Sequence, residues 1–446
     1  GVEYLIAADA FVYPDSGLVA VQAGGEMRTL ENARIIADTL NRNHVINRAT
    51  VNVRGKRNYQ AEGYYEYNIG TRGQEIHFQN IVGQPVGRGK ISERPSVTRA
   101  TGEVAGDKDF YIDHKTKFKG TISLNAESKA LKFEGFALLD ADKLPYPEWF
   151  SVSSEADKND LIIRYSTPKN ENGDPLYTGL YLGKESANIY PAVMQPLTFR
   201  KDRDIFPAAG FFKYIKDKDQ FIFGDSSRVI ASQVRGNLFT FKNSDGSVEA
   251  DGRFNIGSAL KYVKVDAAGF AKGKFPPPPA GDVMLDEEPD AATQQQVDPL
   301  RAELMTGITM TLPDQLAKIM VNDFRSSTFD ASPIVYLTDL DYYRRAATQL
   351  LPDDKDSREA IGGISSGYLD IPKRINPYTF LFSRLKLKWD VEYQSFIGTE
   401  QNLGVVSIAG ESINRVVTGY IEFKMPSNDD DRLYIYLKAP SEQFYF

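Results

Sequence analysis

The chain contains no cysteine in its 446 residues, which excludes disulfides, thiolate metal sites and a cysteine nucleophile. Histidine is scarce, with only His44, His77 and His114 present. No two of them stand at metal-ligand spacing on one helix, and an H-E-x-x-H arrangement is absent. No apolar run approaches the ~18 residues of a membrane-crossing helix. An excess of positive charge is missing as well. There are 53 Lys and Arg against 60 Asp and Glu, and the net charge of −7 argues against a general nucleic-acid binder. The chain begins at Gly1 without Met and shows no signal peptide, so it reads as a piece of something longer. The missing cysteines lead us to expect an extracytoplasmic location, in the periplasm or at the cell surface.

What is abundant is tyrosine and phenylalanine, 24 and 26 residues against two Trp, and these side chains favour strands. Residues 1–275 show short alternating runs between turn signals such as Pro14-Asp15-Ser16-Gly17, Glu171-Asn172-Gly173-Asp174-Pro175 and Asn243-Ser244-Asp245-Gly246. One helical candidate interrupts them at 30–40, where Ala33, Ile36, Ala37 and Leu40 share a face, although a strand fits the same stretch. A proline run, Pro276-Pro277-Pro278-Pro279, then an acidic and a Gln-rich stretch read as an extended linker. Beyond it Asp298-Pro299 reads as a helix start. A second helix is expected after Leu312-Pro313-Asp314, with Leu316, Ile319, Met320 and Phe324 at helical spacing, and a third at 337–351. Strands return from Ile371.

The expected fold is mainly β, with repeated antiparallel sheet units of jellyroll or open-sandwich type and a small helical insert near 298–361. The expected parts are a β-domain at 1–150, a second at 151–275 related to it by duplication, the linker 276–297, the helical subdomain 298–361 and a C-terminal β-domain at 362–446.

One strand type recurs. It reads Tyr59-x-Ala61-x-Gly63-x-Tyr65-x-Tyr67, then Leu131-x-Phe133-x-Gly135-x-Ala137-x-Leu139, then Val248-x-Ala250-x-Gly252-x-Phe254-x-Ile256, with a weaker form at 265–273. An acid precedes the glycine in the first three, and period two puts acids and apolar residues on opposite faces. A partner strand precedes each, carrying Gly55, Gly120 and Gly236, so each pair reads as a hairpin. An interior glycine implies a bend, a bulge or close backbone approach. The runs 107–113 and 217–225 echo each other ahead of the second and third pairs.

Ala61-Glu62-Gly63, Ala250-Asp251-Gly252 and Ala268-Gly269 resemble the strand signature of the OstA/LptA-like β-jellyroll family. That resemblance implies open, folded-over sheets whose groove carries lipopolysaccharide acyl chains. The stretches 11–17, 54–59 and 425–432 resemble very large envelope proteins of Bacteroidetes-type bacteria, which implies a place in the envelope.

Catalytic constellations are weak. Gly363-Ile364-Ser365-Ser366-Gly367 fits G-x-S-x-G, but no histidine follows it and Tyr368-Leu369-Asp370-Ile371-Pro372 is no helix. Ser383 and Lys386 fit S-x-x-K within a strand, where residues three apart point to opposite faces. Trp149 beside Glu148 would suit a sugar platform. Asn428-Asp429-Asp430-Asp431 offers oxygen ligands for Ca²⁺ without EF-hand spacing. Lys115, Lys117 and Lys119 share a strand face, and Lys201, Arg203, Lys213, Lys216 and Lys218 cluster locally; such groups would suit an anionic headgroup or polysaccharide.

Three readings follow. The first is a non-catalytic envelope scaffold working by contact with other envelope proteins or with the rest of its own chain, needing no cofactor or metal. The second is a lipid or lipopolysaccharide carrier with a trough lined by Tyr65, Phe133, Ala137, Ala250 and Phe254. The third is a carbohydrate-binding or glycoside-hydrolysing module using Trp149.

Overall fold

In a computed structural model the described residues are 10–12, 18–21, 29–37, 43–55, 58–85, 87–88, 96–158, 160–165, 167–275, 299–326, 332–365, 367–398 and 402–446. The 14–17 turn and the 276–297 linker lie outside them. The protein is mainly β, with antiparallel sheets and a few short helices. It divides into two compact units, one of residues 1–141, 147–175 and 212–216, the other of 142–146, 176–211 and 217–446.

The first unit is a meander of ten strands, each paired antiparallel with its neighbour in sequence. They are β1 (Ala10–Val12), β2 (Leu18–Val21), β3 (Thr29–Ile36), β4 (Val45–Gly55) and β5 (Asn58–Glu66). Then come β6 (Glu75–Pro85), β7 (Ser96–Val104), β8 (Thr116–Asn125), β9 (Leu131–Leu139) and β10 (Phe150–Ala156). Alternation buries Tyr65, Phe78, Phe118, Ile122 and Phe133 on one face and leaves Glu62 and Glu134 exposed on the other. Rings interlock within that core, Tyr65 with Phe78 at 5.8 Å and Phe118 with Phe133 at 5.5 Å. Each such ring contributes about 2–3 kcal/mol by leaving water. After β11 (Ile163–Tyr165), the segment 212–216 closes one end, with Phe212 packed edge-on to Phe150 at 5.6 Å.

The helical alternative at 30–40 is overturned by β3 as far as residue 37, and Leu40 lies outside the described residues. Ala33, Ile35 and Ala37 are all fully buried, a spacing of two that a helix would have scattered around its circumference.

The second unit begins with a three-stranded sheet of β12 (Tyr177–Leu182), β13 (Ile189–Gln195) and β14 (Arg203–Pro207), ordered β13-β12-β14. β15 (Gly210–Ile215) supplies the 212–216 segment of the first unit. The larger sheet then runs through β16 (Gln220–Gly224), β17 (Leu238–Lys242), β18 (Ser247–Phe254), β19 (Lys264–Lys274) and β20 (Arg301–Thr309). It continues with β21 (Phe380–Asp390), β22 (Ser395–Gly398), β23 (Asn402–Ile408), β24 (Glu411–Lys424), β25 (Arg432–Lys438) and β26 (Gln443–Tyr445). β23 pairs with both β21 and β24. Phe206 of β14 lies 4.8 Å from Phe254 and so packs the small sheet on the large one.

The helices are α1 (Ser226–Val229), α2 (Asp314–Phe324), α3 (Leu340–Leu350) and α4 (Lys355–Gly362). The Asp298-Pro299 helix start is corrected: Arg301–Thr309 is strand β20, buried at Ala302, Leu304 and Ile308 on alternate positions. α2 forms as expected but turns its Ala317, Met320, Val321 and Phe324 stripe inward, leaving Ile319 exposed. α3 packs Tyr343, Ala346, Ala347 and Leu350 with Ala268 and Met305 of the sheet. Asp354 caps α4, its carboxylate accepting the Ser357 N–H at 2.7 Å.

The recurring glycines mark close backbone approach. Gly120 lies directly opposite Gly135 across β8 and β9, and Gly252 opposite Gly269 across β18 and β19. A Cβ on Gly135 would meet the Lys119 carbonyl oxygen at 2.2 Å. All three expected hairpins form, β4 with β5, β8 with β9 and β17 with β18, although β17 starts only at Leu238 and leaves Gly236 ahead of it. The echoed runs also fold differently: 107–113 is turn and bend with a single bridge at Tyr111, whereas 217–225 enters a strand.

Candidate functional site

The five trough residues are core. Tyr65, Phe133 and Ala137 belong to the first unit and are 1%, 0% and 0% exposed; Ala250 and Phe254 belong to the second and are 1% and 3% exposed. Their neighbours are packed side chains, such as Phe118 against Phe133 and Phe206 against Phe254.

Trp149 is half-buried, and the Lys119 ammonium sits over its ring at 4.3 Å. Lys119 also binds Glu171 at 2.6 Å, and Glu148 accepts from Asn170 at 3.4 Å. The expected platform is therefore one layer of an ion-paired stack.

The three histidines serve separate contacts. His44 is buried, with its Nε2 2.7 Å from the Ser128 carbonyl. His77 stacks on Tyr64 at 4.6 Å. His114 lies against Gly70, and burial, with help from Lys216 and Arg72, holds its pKa below the ordinary value. Ser365 of the G-x-S-x-G run is exposed and bridges Tyr368 just after α4, without the strand-to-helix elbow of a nucleophile. Ser383 is buried while Lys386 is exposed. The carboxylates at 429–431 each hold a cation of the chain: Asp429 holds Arg432, Asp430 holds Lys261 and Asp431 holds Arg203.

Recognition chemistry gathers instead on β24, β25 and β26. Period two turns Ile421, Phe423, Ile435, Leu437 and Phe444 into the core. The intervening Tyr420, Glu422, Tyr434, Tyr436 and Tyr445 point the other way. Register aligns them: Tyr420 faces Tyr436, Glu422 faces Tyr434, and Tyr436 faces Tyr445. The Tyr436 and Tyr445 rings lie 4.9 Å apart at 31°, so the row runs across three strands. Tyr445 is 71% exposed, Tyr434 42% and Tyr420 38%. They border an open cavity of about 560 Å³.

Glu422 organises this face. One carboxylate oxygen accepts the Tyr420 hydroxyl at 2.6 Å, and the other accepts Ser395 Oγ at 2.6 Å. Partial burial and the bond to Glu422 push the Tyr420 phenol above its ordinary pKa, so it stays a neutral donor. Among the described residues Glu422 is the one carboxylate side chain lining the cavity, whereas glycoside hydrolysis uses an opposed pair. The geometry fits binding: flat rings, a fixed carboxylate and hydroxyl groups at the rim.

Sequence reading missed this surface, although strands were expected from Ile371 onward. The available signal was tyrosine at outward positions, Tyr434-x-Tyr436 beside Tyr420-x-Glu422. No family model, curated protein or solved structure matches the chain.

Proposed function

We propose that the chain is a non-catalytic β-framework of the cell envelope that works by surface contact, binding glycan on the tyrosine face of β24–β26. The observation that carries the reading is the row Tyr420, Tyr436 and Tyr445 with Glu422 beside it, open to solvent on one sheet face. Aromatic faces with few fixed polar groups bind ligands by shape and orientation rather than by reaction. Location outside the cytoplasm is supported by the absence of cysteine. Lipid carriage finds less support, because the side chains that would line a trough are packed in two cores.

The test is affinity electrophoresis of the full chain in gels of soluble neutral polysaccharides, beside a double variant, Tyr434→Ala with Tyr445→Ala. Both side chains are largely exposed, so the variant should stay folded and its melting temperature should fall only slightly, by the cross-strand contact of Tyr445 with Tyr436. Retardation should fall about tenfold, the effect of removing two stacking contacts of about 0.5–1 kcal/mol each. Equal retardation of variant and parent would remove the tyrosine face from the account. Turnover of a glycan, abolished by one carboxylate change, would replace the framework with an enzyme.

A further inference from the structure

A second cavity in the same unit has different chemistry. Four loops converge on it: 183–188 between β12 and β13, 196–202 between β13 and β14, 391–394 between β21 and β22, and 425–431 between β24 and β25. It is about 570 Å³ and open. Lys184, Arg200 and Lys201 bring three cations to it, against one lining carboxylate, Glu185. Gln394, Ser427 and Asn428 add amide and hydroxyl groups, and Phe199, 39% exposed, adds a ring.

The nearby acids are already engaged. Asp202 is buried, accepting the Lys184 and Phe199 N–H groups and the Tyr190 hydroxyl. Asp429, Asp430 and Asp431 hold Arg432, Lys261 and Arg203. Lys184, Arg200 and Lys201 form no ion pair among the described residues. A local excess of unpaired cations thus sits on a chain of net charge −7.

The loops are fixed from beneath. The buried Trp389 donates its indole N–H to the Ala187 carbonyl at 3.0 Å and so holds the loop bearing Lys184. Gln394 Oε1 accepts the Ser427 N–H at 2.8 Å, joining two loops. Arg203 grips both oxygens of Asp431 at 2.7 and 2.8 Å. Ala187 and Gln394 both hold positive φ, 53° and 50°, which only a well-determined surrounding maintains.

We infer that this four-loop cavity binds the acidic sugar units of a glycan, with Lys184, Arg200 and Lys201 meeting the acid groups and Phe199 the apolar face of the ring. Carboxylate or sulfate would take the charge-assisted bonds. Gln394 and Asn428 suit sugar hydroxyls, since an amide both donates and accepts. This inference rests on the glycan-binding reading above and gives it a charged substrate class.

The test is calorimetric titration of the full chain with oligogalacturonate, with a neutral oligosaccharide of equal length and with inorganic phosphate. The triple variant Lys184→Ala, Arg200→Ala, Lys201→Ala should bind oligogalacturonate at least about tenfold more weakly, three partly exposed contacts being lost. Its neutral-sugar binding should not change. Phe199→Ala should weaken oligogalacturonate and leave phosphate unaffected. Equal oligogalacturonate binding by the triple variant and parent would overturn the site. Phosphate binding as tight as oligogalacturonate, insensitive to Phe199, would overturn the sugar and leave a bare anion site. Loss of the tyrosine face alone would show instead in the Tyr434→Ala, Tyr445→Ala variant, so the two failures are separable.

Discussion

Two carboxylates show what a single residue decides. The Asp431 side chain is 1% exposed and accepts from both Arg203 nitrogens and from the Ala259 N–H. Asp431→Ala leaves the guanidinium without its carboxylate, with only Ser258 Oγ and Met425 Sδ to accept from it. Because Arg203 is 30% exposed, water recovers part of the loss, and the expected destabilisation is about 2–3 kcal/mol, below the full buried-pair penalty. Urea denaturation measures it; a change under about 0.5 kcal/mol would show the pair to be ornamental. Asp113 behaves differently. Burial pushes its carboxyl from 3.8 up to about 6, against hydrogen bonds from the Lys115 N–H and Thr116 Oγ1 that pull it down. Between those two values the folded state holds more protons than the unfolded one. Stability therefore falls as pH rises through that window and levels off above it. Asp113→Asn should flatten this slope in denaturation curves taken from pH 4 to 7, and an unchanged slope would assign it to another group.

At the scale of elements, alternation was the legible signal and local punctuation was misleading. Ala302, Leu304 and Ile308 spelled a strand, yet Asp298-Pro299 ahead of them suggested a helix start, and sheet pairing on both sides decided the outcome. In α2 the spacing was right but the face was rotated: the helix packs against β23 and β24 with Ala317, Met320, Val321 and Phe324 buried, while Ile319 stays in water. α4 had its capping aspartate in plain view, three residues before the Ser357 that it caps. The glycine strands were legible as strands, but the close glycine–glycine pairing required knowing which strand lies beside which. Gly252 makes close approach testable on its other side, where Asn237, just ahead of β17, lies against it. It holds φ at +153°, and an added Cβ would lie 2.3 Å from Asn237 Oδ1 and 3.0 Å from its Cα. Gly252→Ala should cost about 2–4 kcal/mol by strain and clash together, read as a lowered melting temperature. A neutral result would mean that Asn237 can move away from β18 freely. The tyrosine face was hidden for a related reason: Tyr420, Tyr436 and Tyr445 become one row only when register is known.

At the scale of the whole molecule, the two units have unlike topologies. Every strand of the ten-stranded meander pairs with its sequence neighbours, so each closure is short. The second unit joins Arg301–Thr309 to Phe380–Asp390 and inserts three helices between them. Rates fall as contacts become more distant in sequence. Pulse-labelled hydrogen exchange during refolding should therefore protect β4–β9 before β20 and β21; simultaneous protection would contradict the topological argument.

The two tryptophans fall one to each unit, and their surroundings are opposite. Trp389 is 1% exposed, hydrogen-bonded and 5.1 Å from Phe396, while Trp149 is half in water beneath an ammonium group. The molecule thus carries two tryptophan emitters, a blue-shifted one reporting on the second unit and a red-shifted one on the first. Replacing either with Phe gives a single-tryptophan protein in which, at excitation that spares the tyrosines, the melting of one unit can be followed optically without labelling.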